Sequence, residues 1–114
     1  MASLSPDEDA LQMYAAKRMF DVCHKTVWWH TPNGGKRSKA TAARLRKMGV
    51  RPGVADLVFF NNTLQLAAEL KTLTGVQSKD QKSFQAAWEA QGGIYVIVRT
   101  PEEIDGLIFK FQLD

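Results

Sequence analysis

The chain has 114 residues, 45% of them hydrophobic, a composition for one globular domain spanning 1–114 and not for a disordered tail. Its net charge of +3 permits an anionic partner, while the single cysteine, Cys23, excludes an intrachain disulfide and any CxxC metal or redox motif. No apolar run approaches the ~20 residues of a membrane span, and the start MASLSPDED lacks the basic and apolar regions of a secretory signal. A cytoplasmic protein in a reducing compartment is expected.

Ser5-Pro6-Asp7-Glu8 predicts a helix start, with Ser5 as N-cap, Pro6 at the first helical position and Glu8 completing a capping box. Leu11, Tyr14 and Ala15 carry that helix on to about Cys23. Thr26–Thr31 (TVWWHT) reads as a strand running into the Pro32-Asn33-Gly34-Gly35 loop, and alternation sends Trp28 and Trp29 to opposite faces. Ala40–Met48 predicts a basic helix ended by Gly49. A Pro52-Gly53 turn leads into GVADLVFFNNTLQLAAELK, two apolar runs joined at Asn61-Asn62.

Thr72–Gln77 reads as a loop, and Ser78-Lys79-Asp80-Gln81 as a capping box opening a helix that turns Phe84, Ala87 and Trp88 inward before Gly92-Gly93. Ile94–Val98 (IYVIV) is apolar throughout, as in a strand covered on both faces. Thr100-Pro101-Glu102-Glu103 starts a last helix with Ile104, Leu107, Ile108 and Phe111 at helical spacing. These elements predict an α/β fold: a mixed sheet of about four strands flanked by helices.

Within the hairpin, Leu64, Leu66, Ala68 and Leu70 share one face with Leu57 and Phe59. Asp56, Val58 and Phe60 then lie on the face of Glu69 and Lys71. Across an antiparallel ladder Asp56 and Glu69 meet within roughly 4.5 to 8 Å. Two carboxylates that close repel unless a cation joins them, and an all-oxygen set suits Mg²⁺ or Mn²⁺. The structural alternative is a salt bridge from Lys71 to either carboxylate.

Asp56 followed by Glu69-Leu70-Lys71 resembles the D…ExK core of the PD-(D/E)xK nuclease superfamily. The surroundings are similar to its VRR-NUC branch: Glu8…Gln12, TPNGGKRSKATAARLRKMGVRPGVADLVFF, AAELKT, SKDQ with Trp88 and Gly92-Gly93, and IYVIVRTPEE, in that order along nearly the whole chain. The resemblance implies a restriction-endonuclease-like α-β-(α)-β-β-α-β core and a metal-dependent DNA endonuclease. It implies Asp56, Glu69, the Leu70 carbonyl and Glu8 as metal ligands, with Asp56, Glu69, Lys71 and Gln81 as the catalytic set. The position before Asp56 is Ala55, where the family pattern has proline. Stand-alone members resemble Holliday-junction resolvases and belong to phage or bacterial genomes. That implies a homodimer acting on branched DNA in a bacterial or phage-infected cell.

Each site residue also has a plainer reading. Glu8 and Gln81 both sit where a capping box needs them. His24 and His30 are too few and too separated for a zinc site, and His30 reads as packed or solvated. No carboxylate lies between Asp21 and Asp56, where eight lysines and arginines fall. Within that stretch Asn33, Lys36, Arg37, Lys39, Arg44 and Arg51 are the candidates for DNA-backbone contact, with glycines that let main-chain N–H groups approach phosphates. The other function class is a non-catalytic nucleic-acid-binding domain that keeps the nuclease fold.

Overall fold

The computed structural model describes residues 7–32 and 38–114. Its elements run α1 (Glu8–Val22), β1 (Val27–His30), α2 (Lys39–Lys47), β2 (Leu57–Asn61), β3 (Leu64–Leu70), α3 (Lys79–Ala90), β4 (Ile94–Val98) and α4 (Pro101–Phe111). The sheet order is β1-β2-β3-β4. β1, β2 and β3 are antiparallel neighbours, whereas β4 lies parallel to β3. A parallel neighbour requires a crossover, and α3 provides it.

The alternation read from the hairpin is the one observed. Leu57 pairs with Ala68, Phe59 with Leu66 and Asn61 with Leu64, leaving a two-residue Asn62-Thr63 turn. Asn61 closes that turn by accepting from Thr63 N–H at 2.9 Å. Leu57, Phe59, Leu66, Ala68 and Leu70 join Leu11, Ala15 and Met19 of α1 and Ile104 and Leu107 of α4 in one core. Each large side chain fully buried there contributes about 1.5–3 kcal/mol. On the opposite face Ala67 and Tyr95 pack with Ala55 and Phe84, flanked by Trp88 and Ile97. β4 thus sends side chains into both layers, as its apolar sequence implies.

Two local expectations are corrected. The cap of α1 is Asp7, whose carboxylate accepts from Ala10 N–H at 2.7 Å. Glu8 is therefore the first helical residue and not the third-position member of a box; Ser5 and Pro6 lie outside the described residues. On α3, Phe84 and Trp88 face the sheet but Ala87 is exposed, because positions 84 and 88 are one helical repeat apart and 87 falls off that line. Trp28 packs against the core while Trp29 on the other face is exposed. Among the described residues no helix is long and apolar enough to cross a membrane.

Candidate active site

Leu57 and Ala68 pair at the end of the β2–β3 ladder, so Asp56 and Glu69 follow as the next opposed positions. The Asp56 side chain turns back to the main chain of β3, its Oδ2 accepting from Leu70 N–H at 2.7 Å. The Asp56 carbonyl accepts from Thr31 N–H at 2.9 Å and lies 2.7 Å from His30 Nδ1. Both the carboxylate and the backbone of Asp56 are thereby fixed. Ala55, in the place of the family's proline, is fully buried against Ala67, Phe84 and Tyr95, so packing shapes this turn.

Glu69 is only 2% exposed. Its Oε2 accepts from Gln81 Nε2 at 2.9 Å, whereas its Oε1 is buried without a hydrogen-bond partner when both carboxylates are ionised. Leaving a buried carboxylate oxygen without a donor is costly. The Glu69 pKa is accordingly pushed up to about 9, first by burial, then by the charge of Asp56 and hydrogen bonding with it. Lys71 pulls it down and Glu8 raises it further, so the first turn of α1 lies within electrostatic reach of the site.

Gln81 does two things at once. Its Oε1 accepts from Ser78 N–H at 2.8 Å while Ser78 Oγ accepts from Gln81 N–H at 3.1 Å, which is the predicted capping box. With the amide oxygen so engaged, its NH₂ is left for Glu69. Capping and carboxylate positioning are one arrangement. Gly53 allows it: at φ +79°, its position would bring an added Cβ to 2.4 Å from the Asp80 main chain, so the Pro52-Gly53 turn lies directly on the start of α3.

Lys71 is 9% exposed, and its N–H continues the sheet by donating to the Val98 carbonyl at 3.0 Å. Among the described residues no ion pair joins Lys71 to Asp56 or Glu69, so the salt-bridge alternative is not the arrangement present. Among those residues, too, no three His, Cys, Asp or Glu side chains gather closely enough to hold a metal by themselves. Asp56 and Glu69 form a pair. The donor-less Glu69 Oε1 and the raised pKa are the features of a carboxylate pair that a divalent cation would relieve, so these residues fit such an ion.

Of the basic residues, Lys39 and Arg44 lie exposed on α2. The Arg51 guanidinium sits over the Phe84 ring, 5.7 Å from its centroid. Arg51 also lines an open cleft of about 280 Å³ between α2 and α3, with Arg46, Gly53, Ser78, Asp80 and Gln81. The cleft therefore ends on the residue that holds Glu69. Asn33, Lys36 and Arg37 lie outside the described residues.

Two neighbours of the site were not singled out for it from sequence. His30 supports Asp56 through the main chain; the signal was the β1–β2 register, which sets Thr31 opposite Asp56. Tyr95 borders the carboxylates, its pKa pushed up to about 12 chiefly by burial, with Gln77 Nε2 donating to its hydroxyl at 3.2 Å.

The fold and the polar cluster define an α/β protein with its candidate chemistry at one end of a mixed four-stranded sheet. That fold is shared with a solved "VRR_NUC domain protein" at a TM-score of 0.72 and 19% identity, over 99% of this chain and 93% of that one. A second solved structure, "VRR_NUC domain", matches at a TM-score of 0.59 and 19% identity, over 89% of this chain and 92% of that one. The VRR-NUC resemblance read from the residues is thus borne out in the fold. No family model and no curated protein matches the sequence.

Proposed function

We propose that the chain is a divalent-metal-dependent, structure-selective DNA endonuclease. The observation that carries this reading is the Asp56–Glu69 pair with the Glu69 Oε1 buried and donor-less, beside a nearly buried Lys71 that forms no ion pair with either carboxylate. Asp56, Glu69 and the Leu70 carbonyl are the proposed oxygen ligands, with Glu8 as a further one. When bound, Mg²⁺ or Mn²⁺ supplies Lewis acidity at the scissile phosphate and lowers the pKa of water there. Gln81 holds Glu69 in place through Oε2, and His30 and Thr31 hold the Asp56 backbone.

Lys71 directs its ammonium toward the attacking water and the charge developing on the phosphoryl oxygens. Water adds to phosphorus, the bond to the leaving sugar oxygen breaks, and that oxygen takes up a proton. Lys39, Arg44 and Arg51, together with Asn33, Lys36 and Arg37, bind the DNA backbone, which fixes register without reading sequence. Cutting two strands of a junction symmetrically uses two copies of this site, so the proposed active form is a two-fold homodimer. Support for a paired surface comes from Val27, Trp29 and Phe60, exposed apolar residues on one face at the β1 edge of the sheet.

The test is nicking of plasmid and branched DNA by wild type and Asp56→Ala, with Mg²⁺, Mn²⁺ or EDTA. Metal-dependent cutting that Asp56→Ala abolishes supports the reading. Salt-sensitive binding without cutting, unchanged by the substitution, assigns the chain to the non-catalytic DNA-binding class.

A further inference from the structure

Arg99 follows the last residue of β4, and its side chain reaches across to the turn after Lys71. Its Nη1 donates to the carbonyls of Thr72 at 2.6 Å, Gly75 at 2.8 Å and Leu73 at 3.3 Å. The turn is closed by Gly75 N–H on the Thr72 carbonyl at 3.2 Å. Arg99 itself is held from behind, because its N–H donates to Glu103 Oε1 of α4. A single guanidinium thus gathers the carbonyls of one turn and ties them to the sheet and to α4.

What the turn rests on gives this clamp its meaning. A Cβ added at Gly75 would lie 3.4 Å from Lys71 Cδ and 3.0 Å from Thr72 Oγ1, so the Gly75 end of the turn lies against the aliphatic stem of Lys71 at Cδ. Lys71 has four rotatable side-chain bonds and, among the described residues, no ion pair to fix its direction. Packing must do so instead. We infer that Arg99 is a positioning residue for the reaction: by clamping Thr72–Gly75 over the Lys71 stem, it confines the ammonium to the mouth of the Asp56–Glu69 pair.

This inference rests on the nuclease reading for its functional part, but its physical part can be tested separately. The first arm is NMR of the lysine ε-methylene groups in the metal-free protein, with the Lys71 signal identified by its absence in Lys71→Arg. In wild type the signal should be that of an ordered side chain. In Arg99→Ala it should collapse to the averaged shifts of a free surface lysine, with Arg99→Lys partly restoring it. A Lys71 signal unchanged in Arg99→Ala overturns the clamp.

The second arm is steady-state cleavage. Arg99→Ala should lower kcat by about 10- to 100-fold while KM for DNA stays within about threefold, since a displaced group costs rate and not binding. Unchanged kcat, or a rise in KM alone, overturns the functional part. If wild type does not cut, or Lys71→Ala cuts as well as wild type, the nuclease reading fails, and the NMR arm still decides whether Arg99 orders Lys71.

Discussion

At the residue scale, Glu69 has the most consequential environment. Folded, it keeps its proton up to about pH 9, whereas an unperturbed glutamate releases it near 4.5. Between those values the folded state binds more protons than the unfolded one, so this group's contribution is full below the lower value and is lost as pH rises toward the upper. Urea denaturation in EDTA should therefore show stability falling from about pH 5 to about pH 9, with Glu69→Gln lacking most of that slope. Parallel slopes for the two proteins would contradict the assignment. Saturating Mg²⁺ should offset the decline, because the cation takes the place of the proton. From sequence the convergence of Asp56 and Glu69 was legible, since strand alternation and the turn determine it. Burial was not, because it depends on α3 and β4, whose Phe84 and Tyr95 pack with Ala67 on this face of the hairpin from far along the chain.

At the scale of elements, the site depends on where α3 begins. Ser78→Ala removes the oxygen that accepts from Gln81 N–H and should cost about 1 kcal/mol of stability, measured by chemical denaturation. Gly53→Ala is the more severe change: the residue sits at φ +79° and a Cβ would meet the Asp80 main chain. It should cost on the order of 1–3 kcal/mol, and cleavage should fall as well because Gln81 is displaced from Glu69. Wild-type stability and activity in Gly53→Ala would refute this contact.

Capping boxes and turn residues made these elements legible at Ser78 and Thr100, where the pattern is local. The start of α1 differs from the expected one because Asp7, whose carboxylate can accept from a helix N–H as a serine can, takes the cap. The roles of His30 and Arg99 were hidden for another reason. Each acts through main-chain carbonyls 26 and 24–27 positions away, which no local motif records.

For the whole molecule, charge and assembly are what a partner meets. Eight lysines and arginines in a stretch free of carboxylates should make DNA binding fall steeply with salt. Arg44→Ala and Arg51→Ala should each reduce the slope of log affinity against log salt by about one, without changing sequence preference. Replacing exposed Trp29 by glutamate should shift the sedimentation profile from dimer to monomer; a wild-type profile showing monomer alone would remove the two-fold arrangement. The order of elements and the mixed sheet followed from hydrophobic periodicity, and the structure agrees in every element. Which surface would meet a second copy in the proposed dimer did not follow, because periodicity reports burial within one chain.

The most direct test of the central claim is cleavage of a labelled four-way DNA junction, beside a linear duplex and a single strand, by wild type and Lys71→Ala in Mg²⁺, Mn²⁺ or EDTA. Wild type should cut in a metal-dependent way and prefer the junction, and Lys71→Ala should lose at least ~100-fold. Junction binding without cleavage by wild type in either metal would contradict the central claim.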